Sequence, residues 1–421
     1  MSQANLSLPA GGTAAPRYVV GLDVGSETCL VAVLTPDKRV VRKPFAIANA
    51  GDGFTHLDQQ LAHLGCAPQD IIVGLEATGR YWETVYYFLQ QRGYRLVLLH
   101  PAQTHHFAQR RGLRAKTDKL DAVTIARVLL SEDARPAYVP NELTATYREL
   151  VRLHSNLSDE AARYKNEIQD LLVVLFPEFT QVFKDPTRKT ALAVLRAHPG
   201  AQAIAAVGVA PIAAIFEATA PRNYGPETAE RLVGLATHSS ASPVAVAARG
   251  RSLAILADQL THTQMNIAEL DREIEQLLRR DDDATGLQSV PDFGPKTVAV
   301  LRAELGEVDR FERSAQVVAY AGLDITVKES GKWRGQRKLS KRGSGELRRT
   351  LYLTAMRCVR REGSAFGAYY QALGARGMKG KAALVAVMRK MLVVAYHLLK
   401  SGESYDPSKV WAGAIGAAGA R

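Results

Sequence analysis

Tyr18-Val19-Val20-Gly21-Leu22-Asp23-Val24, then Gly25-Ser26-Glu27-Thr28, then Cys29-Leu30-Val31-Ala32-Val33-Leu34-Thr35, is the stretch on which the fold turns. Two apolar, β-branched runs flank a short polar segment containing glycine, the pattern of a β-hairpin. Working outward, Val40 to Ile47 adds a third strand. A helical stretch near His56 to Leu64 precedes a strand from Ile71 to Glu76. A helix from Tyr81 to Gln91, a strand from Leu96 to His100, and helices after Pro101 and Asp118 complete the region.

Three antiparallel strands followed by alternating helix and strand is the layout of an RNase H-like α/β domain, expected over residues 17–135. In that layout four acids stand at element ends. Asp23 and Glu76 close strands, and Asp118 with Asp121 opens a helix, where a spacing of three gives the pair one face. Carboxylates gathered at a sheet edge repel one another unless a cation lies between them. Their hard oxygens suit Mg²⁺, and two such ions stabilise the attacking and leaving oxygens of phosphodiester cleavage. The competing reading makes Asp118 a helix N-cap and Glu76 a turn cap. Asp23-Val24-Gly25-Ser26 also looks like the phosphate loop of actin-like kinases, but no Gly-Gly adenosine motif follows.

The chain has 421 residues, enough for two or three domains, and 47% of them are hydrophobic. With 54 Lys and Arg against 42 Asp and Glu, the net charge of +12 favours nucleic acid as partner over membrane. Cys29, Cys66 and Cys358 are odd in number and widely spaced, so neither disulfides nor a zinc site is expected, and a reducing cytoplasm fits. Residues 1–16 read as a disordered leader without signal-peptide character. Ala203 to Ile215, broken by Gly208 and Pro211, is too short to span a bilayer.

Residues 143–280 carry two heptad seams. One runs through Leu150, Leu157, Tyr164 and Leu171 with Ala161, Ile168 and Leu175, where only His154 is out of character. The other runs through Leu253, Leu256, Leu260, Ile267, Leu270, Ile274 and Leu277, with Thr263 polar. A coiled coil within one chain or between chains is expected. Pro177 ends the first helix, and the Ala-rich stretch of about 177–250 reads as a helical insertion.

A helical C-terminal domain is expected over 285–402, with 403–421 as a tail. Val290-Pro291-Asp292-Phe293-Gly294-Pro295-Lys296-Thr297 leads into a helix as a helix-hairpin-helix does, a motif whose backbone N–H groups, with Lys296 beside them, can hold a phosphate. From Lys328 to Arg349, nine cations (Lys328, Lys332, Arg334, Arg337, Lys338, Lys341, Arg342, Arg348, Arg349) face only Glu329 and Glu346. Ser330, followed by Gly331, stands at the front of this cluster, where cations lower the cost of an alkoxide. On chemistry alone Ser340 and Ser344 compete with it as nucleophile.

Gly21-Leu22-Asp23-Val24-Gly25, Gly74-Leu75-Glu76-Ala77-Thr78-Gly79 and Gly112-Leu113-Arg114-Ala115-Lys116-Thr117-Asp118-Lys119-Leu120-Asp121-Ala122 resemble the Asp-Glu-Asp-Asp nuclease domain of the insertion-sequence-110 family of transposases. Val290 to Thr297, Ala319-Tyr320-Ala321-Gly322-Leu323, Glu329-Ser330-Gly331, Leu339-Ser340-Lys341-Arg342-Gly343 and Leu347-Arg348-Arg349 resemble the C-terminal domain of the same family. The resemblance leaves out the leader and most of Pro177 to Gly250. It implies a recombinase that excises and inserts its own mobile element, pairing a RuvC-like Mg²⁺ site at Asp23, Glu76, Asp118 and Asp121 with Ser330 as nucleophile. It also implies a structured bridge RNA that selects target and donor DNA, and a homo-oligomer, dimer or tetramer, in which one subunit's metal site meets another's serine. Two other classes remain open. A Holliday-junction-type nuclease would need only the acids, and a non-enzymatic nucleic-acid-binding protein only the basic region.

Overall fold

A computed structural model describes residues 15–77, 79–110, 118–131, 134–326, 329–330, 333–334 and 338–410. The chain divides into two compact units, Met1–Val139 and Pro140–Arg421.

The first unit is a five-stranded mixed sheet. Strands β1 (Tyr18–Val24), β2 (Thr28–Leu34) and β3 (Val40–Ala48) are antiparallel, while β4 (Ile71–Glu76) and β5 (Arg95–Leu99) run parallel to β1, giving the order β3-β2-β1-β4-β5. Helices α1 (Gly51–Ala62), α2 (Trp82–Gln91), α3 (Pro101–Arg110) and α4 (Asp118–Leu129) connect or cover the strands. The expected strands and helices are all present, with ends shifted by a few residues where turns set the boundary. Period-two alternation divides the sheet between two cores. Val20, Leu22, Ile71, Val73 and Leu75 pack with Phe54, Leu57 and Val85 of α1 and α2. Val19, Ala32, Ile72 and Leu99 pack with Ala122, Ile125 and Leu129 of α4.

The second unit opens with α5 (Glu142–Leu175), capped by Asn141 accepting from the Thr144 N–H at 2.9 Å and ended before Pro177. Helices α6 (Lys189–Ala197), α7 (Ala201–Val207), α8 (Val209–Thr219) and α9 (Pro226–Thr237) follow, then the long α10 (Val246–Leu278). Gly208, at a φ of +78°, breaks the apolar Ala203 to Ile215 stretch between α7 and α8, which bend by 102°. The two long helices pack against each other antiparallel within one chain. Ile168, Leu172 and Leu175 share a core with Leu253, Ala257 and Leu260, and α6 to α9 cap that end. At the other end Tyr147, Val151, Ile274 and Leu278 join the C-terminal core, so packing runs across the acidic run at 281–283.

The remaining helices are α11 (Thr285–Gln288), α12 (Pro295–Leu305), α13 (Ser314–Tyr320), α14 (Gly345–Cys358), α15 (Ala365–Ala375) and α16 (Gly380–Ser401). Short strands β6 (Ile325–Thr326), β7 (Glu329–Ser330), β8 (Trp333–Arg334) and β9 (Lys338–Leu339) lie between α13 and α14. Helix α12 is buried through Thr297–Ala303 at the centre of the core. Arg302, 7% exposed, is carried there by a bidentate pair with the buried Asp281 at 2.7 and 3.0 Å. Helix α16 is long and apolar enough to cross a membrane, a feature that the sequence patterns above do not single out, but Met388, Met391, Leu392 and Tyr396 bury it in the same core.

Candidate catalytic edge and nucleic-acid interface

The parallel register of β1 and β4 pairs Gly21 with Gly74 and Leu22 with Leu75. Asp23 and Glu76 are the next residue on each strand, so they leave neighbouring strand ends side by side. They belong to the alternating sets Val19-Gly21-Asp23 and Ile72-Gly74-Glu76, which face α4 rather than α1 and α2. Glycine at both inner positions is what lets α4 lie close. A Cβ on Gly21 would stand 1.9 Å from the Ala122 carbonyl oxygen and 2.7 Å from the Ala126 nitrogen, and one on Gly74 would meet Leu129 Cδ1 at 2.4 Å. Asp121 precedes the carbonyl that rests over Gly21, which puts its helical turn over β1, and Asp118 opens the turn before it.

Glu76 Oε2 lies 2.6 Å from the hydroxyl of Thr104 on α3, a hydroxyl that also stands 2.9 Å from the Pro101 carbonyl oxygen. Opposite Val24 in the hairpin, the Cys29 thiol is pushed up to about 12 by burial and then by the negative charge of Asp23. Among the described residues no three His, Cys, Asp or Glu side chains approach closely enough to hold a metal ion, and the Asp118 side chain lies outside those residues. All four acids supply hard carboxylate oxygen, the donor type that fits Mg²⁺. Thr104 and the Gly21 and Gly74 pair went unread in the sequence, although the repeat Gly-Leu-Asp and Gly-Leu-Glu at two strand ends was the signal.

In the second unit, Ser330 sits on a two-tier ribbon. Strands β6 and β9 pair at the base through Ile325 with Leu339 and Thr326 with Lys338, and β7 pairs with β8 above them, Ser330 opposite Trp333. Of Ser330, Arg334 and Lys338 the backbone is described; Lys328, Lys332, Arg337 and Gly331 lie outside the described residues. The base is closely fastened. Ser340 donates to the Asp324 carboxylate and its N–H to the Asp324 carbonyl oxygen at 3.0 Å, while the Lys341 N–H reaches the Gly322 carbonyl oxygen at 3.1 Å. Gly343 passes so close to Tyr320 that a Cβ would stand 1.8 Å from its carbonyl oxygen. Arg348 ties the two segments together, donating to the carbonyl oxygens of Ala321 at 3.1 Å and Gly343 at 2.7 Å. Ser344 caps α14 by accepting from the Leu347 N–H at 3.1 Å. Both alternative serines therefore have local structural partners.

Of the remaining basic residues, Lys341 and Arg342 are exposed, and Arg349 forms a two-pronged pair with Asp159 on α5. Lys296, at the start of α12, is half-buried, and burial lowers its pKa. Its ammonium donates to Nδ1 of His154 at 2.9 Å, and His154 Nε2 donates to Asp271 at 3.0 Å. That explains the misfit in the first seam: His154, 6% exposed, is held neutral by burial and by Lys296. The turn before α12 is braced from outside, with Arg361 and Ser364 donating to Asp292 at 3.0 and 2.9 Å.

A mixed sheet with acids at one edge, attached to a mostly helical remainder, fits a DEDD, RuvC-like domain joined to a second functional unit. Residues 20–177 match the model of the DEDD-type IS110 transposase domain, and residues 284–371 match that of the transposase IS116/IS110/IS902 family. The IS110 insertion-element 43.6 kDa protein of Streptomyces coelicolor is 29% identical over 298 residues, 69% of this chain and 72% of that one. The IS116 insertion-element 44.8 kDa protein of Streptomyces clavuligerus is 26% identical over 70% of this chain and 73% of its own length. The pilin gene-inverting protein of Moraxella lacunata is 22% identical over 93% of this chain and 98% of its own length. The chain belongs to the IS110 family of transposases. Its partner is accordingly DNA, and its class of reaction is transposition by DNA recombination.

Proposed function

We propose that the protein excises and inserts a mobile element by serine attack on DNA, assisted by divalent metal and guided by a bridge RNA. The observation that carries the reading is the register of β1 and β4, in which paired glycines seat the helix that carries Asp118 and Asp121 while Asp23 and Glu76 end the two neighbouring strands. Asp23, Glu76, Asp118 and Asp121 hold Mg²⁺, which when bound supplies positive charge to the phosphate oxygens. Ser330 Oγ loses its proton and bonds to phosphorus as the bond from phosphorus to one sugar oxygen breaks, and that strand end leaves as a hydroxyl carrying a proton. One phosphate ester replaces another, so strands can rejoin by the reverse exchange without ATP. Lys328, Lys332 and Arg334 favour the ionised serine, and Arg337, Lys338, Lys341, Arg342 and Arg349 hold phosphate. The protein works as a dimer or tetramer, with the acids of one copy serving the serine of another.

The test is a denaturing gel on protein incubated with element-end DNA, Mg²⁺ and the element's non-coding RNA. The unmodified chain and Ser340→Ala give a covalent protein–DNA band. Ser330→Ala binds DNA without the band, and Asp121→Asn, folded by circular dichroism, cuts nothing. A band from Ser330→Ala would overturn the assignment. Cleavage with no band from the unmodified chain would favour a nuclease of the Holliday-junction type.

A further inference from the structure

Beside α14 lies a cavity of about 550 Å³ in the second unit, walled by α5, α12 and α14. Its volume is in the range of sites that enclose most of a small ligand. Four cations line it: Lys296, Arg349, Arg357 and Arg360. Arg349 is paired with Asp159, but among the described residues neither Arg357 nor Arg360 has a carboxylate within 4 Å. Among the described residues the only acid in the wall, Glu346, accepts from Ser155 Oγ at 2.6 Å and from Thr350 Oγ1 at 3.4 Å. By area the exposed wall is mostly apolar, although Ser158, Thr297, Thr350 and Thr354 bring hydroxyls to it, and Leu353 remains 51% exposed within it. Arg349, Leu353 and Arg357 follow at intervals of four, so the cations and the uncovered leucine share one face of α14.

We infer that this cavity receives one unpaired nucleotide, its base against Leu353 and Met356 and its phosphate between Arg357, Arg360 and Lys296. The reading rests on the proposed nucleic-acid function and says which feature of the nucleic acid is recognised. Phosphate alone would be served by the cations and leaves the apolar wall without purpose. A paired base is enclosed by its partner and its stacked neighbours and cannot enter. An unpaired base offers both a flat apolar face and a charged end, and guanidinium planes stack on such faces. The network beneath the cavity is placed to receive the charged end. His154 and Asp271 hold Lys296 at the cavity wall, where burial makes its charge cost more and an incoming anion would offset that cost.

The experiment uses the full chain and short duplexes of RNA or of DNA, each either fully paired or with one bulged 2-aminopurine whose fluorescence reports its surroundings. The bulged form should bind about tenfold more tightly than the paired form, the usual scale for one stacked base. Arg357→Ala with Arg360→Ala, both at exposed positions, and Leu353→Asp should each remove that preference while leaving the paired form bound. Unchanged melting curves would show that these variants are folded. A preference on the RNA or the DNA arm supports the inference and names the source of the nucleotide. Equal binding of bulged and paired duplexes, or a preference that survives in folded variants, overturns it while leaving the recombinase reading intact. No binding of any duplex overturns both.

Discussion

Gly21 and Gly74 have the same role on adjacent strands but different tolerance to change. At Gly21 an added Cβ meets the backbone of α4, which cannot yield without moving the helix that carries Asp118 and Asp121. At Gly74 it meets the end of the Leu129 side chain, which can rotate. Gly21→Ala should therefore destabilise the first unit by about 1–3 kcal/mol, as overpacking does, and abolish DNA cleavage even below the melting temperature. Gly74→Ala should cost less and keep measurable cleavage. Thermal melts and a nicking assay on the two variants check this, and equal loss in both would mean that α4 does not depend on close approach at Gly21. The four acids and their order stand out in the sequence because each falls where a strand ends or a helix begins. The glycines stand in the same short motifs, yet their purpose is a distance of approach, which exists only between a strand and a helix far along the chain, Gly21 against Ala122 and Gly74 against Leu129.

At the scale of elements, the serine ribbon depends on a base that sequence could name only as motifs. Ala319 to Leu323 and Leu339 to Gly343 are held together by Gly322, Gly343 and the Arg348 guanidinium. By sequence Arg348 counts among the phosphate-contacting cations, and its charge is the same in either role. A planar fork can bridge two carbonyl oxygens where a single ammonium cannot. Arg348→Lys should thus abolish the covalent DNA adduct while the salt dependence of DNA binding stays unchanged, since the charge is retained. If the lysine variant forms adduct normally, Arg348 acts as a charge facing phosphate. The basic face also extends beyond the nine cations read from the sequence. Arg357 continues the helical face of Arg349, and Arg360 follows just past the helix, a continuation visible only once α14 has a direction.

For the whole molecule, the two heptad seams left open whether the long helices pair within or between chains, since the same stripe of leucines serves both. In the structure Leu260 is fully buried in its own chain against α5 and the capping helices. Leu260→Ala should cost about 2–5 kcal/mol, the range for a buried leucine, and the fall in melting temperature should be the same in dilute and concentrated protein. A loss that grows on dilution would place the seam between subunits. Polar positions within the seams have partners that no heptad reveals: His154 with Asp271 and Lys296, and Thr263 with the Gln259 carbonyl oxygen at 2.9 Å.

By itself the sequence determined the strands and helices of the first unit, the four acids, the concentration of positive charge near Ser330 and the two long helices. Each is written in local periodicity, in turn residues or in charge, which neighbours along the chain suffice to express. The tertiary structure alone decided that the glycines seat α4 on the sheet, that the long helices fold back on each other, and that Arg348 braces the ribbon. It alone decided, too, that Arg302 spends its charge on Asp281 within the core. These are matters of approach between segments far apart in sequence, fixed by close packing and by the need of every buried polar group for a partner.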